Sequence, residues 1–133
     1  VEFLEPISVV EPCDGGLYVV ADATYWLAGD LETAEAKVVS PTRGVFGTSG
    51  QEKAAKQAFW MTEKGIAIGD AGGTVKLPQS ENVAFDTAAV GATMLREADG
   101  QRQLVSSLFN PEVTATAARS YMDAEVIRKG TTL

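Results

Sequence analysis

The sequence predicts a mainly β fold of antiparallel hairpins and meanders. Three observations predict it. Short runs of alternating or β-branched apolar residues fill the first hundred positions. Thirteen glycines punctuate those runs in a chain of 133 residues. One hairpin-like unit also occurs twice, at a spacing of 42 residues.

The elements follow in order. Ile7-Ser8-Val9-Val10 reads as a short strand, and Pro12-Cys13-Asp14-Gly15-Gly16 as turn chemistry. Leu17-Tyr18-Val19-Val20 is rich in β-branched and aromatic residues, as strands are. Ala21-Asp22-Ala23 turns the chain back into Thr24-Tyr25-Trp26-Leu27, which Gly29-Asp30 stops. Ala34 to Val39 is a further strand, ended by Ser40-Pro41. Thr42 to Gln51 reads as a long loop, and Lys53 to Gln57 as either a helical turn or the start of the next strand. A three-strand meander then runs through Ala58-Phe59-Trp60-Met61, Ile66-Ala67-Ile68-Gly69 and Thr74-Val75-Lys76-Leu77, closed by Pro78. Its turns are Glu63-Lys64-Gly65 and Asp70-Ala71-Gly72-Gly73. The last predicted hairpin joins Ala92–Leu95 to Arg102–Leu108 through Ala98-Asp99-Gly100, and Asp-Gly is a strong short-turn signal.

The tail differs in character. Asn110-Pro111-Glu112 has the chemistry of a helix start, and Ala118, Tyr121, Met122, Glu125 and Val126 share a face at helical spacing. Gly130 is a suitable stop. Val113, Thr114 and Thr116 are weak helix formers. The expectation is a β-rich domain over 1–109, followed over 110–133 by a helix (around 112–128) or an extended arm.

In the repeat, Leu17-Tyr18-Val19 lies on Phe59-Trp60-Met61, and Thr24-Tyr25-Trp26 lies on Ile66-Ala67-Ile68. The match is of residue class, not identity. Short antiparallel strands at a period of roughly 40 to 50 residues are the pattern of a β-propeller blade. A propeller typically needs at least about four blades, and this length holds about three. The readings are therefore a partial propeller, a ring completed by several chains, or a small β-sandwich. The Val1 start leads to the expectation of a piece of a longer chain.

Composition narrows the function. The net charge of −7 repels phosphates and anionic membranes, so neither direct nucleic-acid binding nor membrane association is expected. No run reaches the ~18 apolar residues of a membrane span. Histidine is absent, which removes the commonest general base and metal ligand, and with it any Ser–His–Asp or Cys–His pair. The single cysteine, Cys13, is read first as a buried or inert thiol and second as a link between two chains. Glu2, Glu5, Glu11 and Asp14 read as a solvated edge before an acid/base pair. The Asp70–Gly73 segment lacks the alternating ligands of a calcium loop and the Lys-Ser/Thr ending of a phosphate loop. No cofactor, metal or catalytic residue is expected.

The aromatics Tyr18, Tyr25, Trp26, Phe59 and Trp60 sit in the repeated hairpins. They read first as sheet packing and second as an interaction surface, such as a sugar-stacking platform. In both Leu17-Tyr18-Val19 and Phe59-Trp60-Met61 the central aromatic points opposite its neighbours, so both faces of these strands are apolar. Strands of that kind are covered on both sides.

The segment from Phe59 to Val75, leading into Leu77-Pro78-Gln79, resembles uncharacterised bacteriophage and prophage virion proteins of the head and tail region. Gly15 to Val20 with Trp26-Leu27-Ala28-Gly29 is similar to the preceding blade of those proteins, and Ala117 to Arg128 to their C-terminal end. The resemblance implies a β-propeller-like C-terminal portion, packing motifs in place of catalytic ones, and a place in the virion, or in the bacterial cytoplasm before assembly. The expected function is thus a non-catalytic structural component that packs against other virion proteins, with homo-oligomer formation included. The alternatives are a ligand- or carbohydrate-binding β module using Trp26 or Trp60, and a glycoside hydrolase that works with carboxylates alone.

Overall fold

Ten strands, all antiparallel to their sheet neighbours, make up the regular structure in the computed structural model, which describes residues 2–52, 54, 56–84 and 89–109. Sheet I is a meander of β1 (Val9–Cys13), β2 (Gly16–Val20), β3 (Thr24–Ala28) and β4 (Lys37–Ser40), in that order. Sheet II repeats the plan with β5 (Gly50–Gln51), β6 (Gln57–Thr62), β7 (Gly65–Asp70) and β8 (Val75–Lys76). A separate hairpin pairs β9 (Val90–Ala98) with β10 (Gln101–Phe109). No helix occurs among the described residues. The helix or arm expected over 110–133 lies outside them.

The internal repeat coincides with the sheet plan. A shift of 42 residues carries β2 into β6 and β3 into β7, the second and third strands of their sheets. The two sheets pack through a shared core of Val9, Cys13, Tyr18, Val20 and Trp26 from sheet I with Ala58, Trp60 and Ala67 from sheet II. Alternation sends the next residues outward. On sheet II, Met61 and Ile66 join Val45, Ala89 and Leu108 in a second cluster, so the hairpin covers part of that outer face. Both faces of β6 are buried, as its two-sided apolar sequence requires.

Local chemistry explains the boundaries. The β9–β10 turn is Asp99-Gly100, with φ of 53° and 72° at the two positions. Two successive positive φ values match the right-handed twist of the flanking strands, which is why Asp-Gly works there. Strand β1 runs on to Cys13, through the Pro12 that the sequence reading placed in a turn. Pro12 is tolerated because β1 is an edge strand, where a missing N–H costs no ladder bond. A register shift between Thr24 and Tyr25 marks a bulge where β4 meets β3.

The predicted loop over Thr42–Gln51 is partly a strand edge. Gly44 bridges Thr62, and the Val45 N–H donates to the Met61 carbonyl at 2.8 Å. Farther on, β5 pairs Gly50 with Phe59 and Gln51 with Ala58. Between these stretches the buried Thr48 hydroxyl replaces the backbone. It accepts from the Met61 N–H at 3.0 Å and donates to the Val45 carbonyl at 2.6 Å. Thr48→Val keeps the shape and removes both bonds, leaving a buried donor without a partner. The expected cost is about 1–3 kcal/mol, read from urea unfolding.

Candidate functional site

Three of the aromatic residues meet between the sheets. Tyr18 stands at the centre. Its ring lies 4.7 Å from that of Trp26 at 51°, and 5.1 Å from that of Trp60 at 41°. Such tilted pairs at these separations add attraction beyond the area they bury. Tyr18 comes from β2, Trp26 from β3 and Trp60 from β6, so the cluster ties the two copies of the repeat together.

Two glycines make the approach feasible. A Cβ on Gly69 would fall 2.5 Å from Cε2 of Tyr18, and one on Gly73 would fall 2.7 Å from the Trp26 indole. The rings therefore rest directly on the backbone of β7 and of the turn that follows it. The Tyr18 hydroxyl donates to the Asp70 carbonyl in a short bond and lies 3.3 Å from the Thr74 carbonyl. The Cys13 thiol points at the Gly69 carbonyl at 4.0 Å, and burial pushes its pKa up, which keeps it protonated and unreactive. The Trp60 Nε1 is buried with no hydrogen-bond partner among the described residues.

Of the five aromatics proposed as an interaction surface, four are buried: Tyr18, Trp26, Phe59 and Trp60. They pack the fold and do not form a common face. Tyr18, Trp26 and Trp60 point into the inter-sheet core, whereas Phe59 points to the opposite side of sheet II. Tyr25 lies on the outer side of sheet I, half-buried. It stacks edge-on with Phe3 at 5.0 Å and donates to the Asp22 carboxylate at 3.0 Å. A stacking platform needs open ring faces; the two sheets close over Tyr18, Trp26 and Trp60, Phe59 is buried on the far side of sheet II, and Tyr25 is held by Phe3 and Asp22.

Several carboxylates are engaged in structural pairing. Asp70 accepts from the Gln57 amide at 2.8 Å and pairs with Lys76 at 3.2 Å; the Gln57 bond, with help from Lys76, holds its pKa below the usual carboxylate range. The other end of the Gln57 amide accepts from Arg102 at 3.1 Å. Arg102 also pairs with Glu52 at 2.6 Å and with Glu97 across the hairpin at 3.1 Å. This chain of contacts pins the hairpin to the edge of sheet II. Sequence reasoning missed it, since its members lie up to 50 positions apart. Glu5 pairs with Arg43 at 2.7 Å. Among the described residues no three His, Cys, Asp or Glu side chains are placed to hold a metal ion together.

Burial raises the pKa of the Tyr18 phenol well above its ordinary value. The unfolded chain then releases this proton first, near pH about 10, while the folded chain keeps it. The Tyr18 contribution to stability is complete below that pH and shrinks as the pH rises beyond it. Alkaline titration followed by circular dichroism is expected to show this loss. Tyr18→Phe is expected to flatten the alkaline slope, though Tyr25, whose phenol is also held protonated by Asp22, leaves a residue of it.

Compared with protein-family models, with curated proteins and with solved structures, the chain matches none of them.

Proposed function

We propose that this chain is a non-catalytic structural component of a phage or prophage virion, in its head–tail or tail region, and works by packing against other subunits. The observation that carries the proposal is where apolar surface remains. The shared core consumes the inward faces, yet large apolar side chains lie open on the outer faces at both ends of the layer order. Val10 and Val38 lie open on sheet I, and Met94, Val105 and Phe109 on the hairpin. Grouped exposed apolar residues of this kind mark contact surfaces more often than they mark ligand pockets. The resemblance of the Phe59–Val75 segment to virion proteins supplies the setting.

The burial of both indoles weighs against the carbohydrate-binding alternative, because stacking a sugar on Trp26 or Trp60 would require the sheets to part. Mass spectrometry of purified particles from the source phage or induced prophage tests the proposal. The chain is expected in intact virions at a stoichiometry fixed from one preparation to the next. Its absence from them would end the virion reading.

A further inference from the structure

Among the described residues the β9–β10 hairpin is a sheet of two strands. A two-stranded sheet standing alone is marginal in water, and three or more strands are the usual minimum. Its inner face is held: Leu108 packs on Val45 and Met61, and Arg102 reaches Glu52 and Gln57. The outer edge of β9 is partly occupied, since Val90 bridges Phe46 and the Gly91 N–H donates to the Phe46 carbonyl at 2.9 Å. The outer edge of β10 has no strand against it among the described residues.

That edge lacks the usual protections. Exposed edges are normally blunted by short length, by proline, or by charged side chains. Strand β10 is nine residues long, contains no proline and no acid, and carries one charge, Arg102. The guanidinium of Arg102 is turned onto this chain's own Glu52 and Glu97. The outward face of β10 mixes Gln103 and Ser107 with the apolar Val105 and Phe109, which are 50 % and 58 % exposed, and the cross-strand neighbour Met94 is 59 % exposed.

We propose that β10 pairs antiparallel with β10 of a second copy, giving a four-stranded sheet in the order β9-β10-β10-β9 about a two-fold axis at Val105. The strand is compatible with its own reversal. In this register Val105 faces Val105, Gln103 faces Ser107, Leu104 faces Ser106 and Arg102 faces Leu108. No like charges meet, although each chain carries a net charge of −7. The centre is a β-branched pair, a favourable cross-strand neighbour. A row Met94–Val105–Val105–Met94 then runs across all four strands on the outward face. The proposal rests on the subunit-packing reading above and names one partner as the chain itself.

Light scattering on the purified full chain supplies the first test. The expected mass is twice the 14.0 kDa of the chain, and Val105→Lys, which sets two ammonium groups face to face at the axis, is expected to return it to the single mass with an unchanged circular dichroism spectrum. The second test is a disulfide. Val105→Cys places two thiols at a spacing a disulfide accepts, and mild oxidation is expected to link the copies faster than in the control Val90→Cys, on the far strand. A single-mass wild type, or cross-linking of Val105→Cys no faster than the control, overturns the pairing, and does so even where Val105→Lys fails to fold. Failure here is separable from failure of the virion reading, since particle mass spectrometry reports on the latter alone.

Discussion

Trp60→Ala is expected to cost about 3–5 kcal/mol, as large aromatic truncations in cores do. A domain of this size has roughly 5–15 kcal/mol in total, so the variant is expected to fall near the edge of folding. The reasoning starts from position. Trp60 has no exposed surface, belongs to the central strand pair of sheet II, and meets Tyr18 of sheet I ring to ring. Its removal opens a cavity between the two sheets, whose cost adds to that of the lost burial. A second variant separates the ring from its polar atom. The indole N–H has no partner among the described residues, so Trp60→Phe forfeits volume but no hydrogen bond. It is expected to cost clearly less than the alanine change in the same urea titration. Equal losses for both would mean that the indole nitrogen is engaged after all.

The prominence of Trp60 was partly legible in the sequence. Phe59-Trp60-Met61 and Leu17-Tyr18-Val19 are apolar on both sides, and period-two alternation sends the central aromatic one way and its neighbours the other. The structure follows this: Tyr18 and Trp60 meet in the shared core, while Met61 turns to the hairpin side. The strand positions, the Asp99-Gly100 turn and the repeat at 42 residues were readable for the same reason, since each rests on a local period or a local φ requirement. Alternation does not say what covers each face, however. An aromatic strand reads the same whether its open side meets another sheet or a sugar, and only the packing of the two sheets places Tyr18, Trp26 and Trp60 between them and buries Phe59 on the other side of sheet II.

Other features depend on partners distant in sequence. Thr48 looks like one more polar residue in a glycine-rich loop, and only the neighbouring Met61 N–H and Val45 carbonyl give its hydroxyl a place in the ladder. The contacts of Arg102 with Glu52, Gln57 and Glu97 likewise have no local signature. Pro12 misled by a general rule with a known exemption, because nothing local reveals that β1 is an edge.

Gly69 is where a small substitution is expected to have a large effect. It lies within β7 and does not adopt the left-handed backbone that favours glycine. Judged by strand preference alone, a side chain there is neutral or mildly helpful. The main obstacle is the opposite sheet: a Cβ would stand 2.5 Å from the Tyr18 ring of sheet I, and also 3.0 Å from the ring of Trp60 on the neighbouring strand β6. Contacts this close force the sheets apart, and Gly69→Val is expected to cost about 3 kcal/mol or more, at the upper end of overpacking penalties. A double-mutant cycle isolates the cause. Gly69→Ala in the wild type displaces the Tyr18 ring, whereas in a Tyr18→Leu background the space is already relaxed. The penalty of the alanine is therefore expected to shrink when the two changes are combined, with a coupling of about 0.5–3 kcal/mol. Strict additivity would show that the penalty arises elsewhere, and that the two repeats are not held together by an aromatic ring resting on bare backbone.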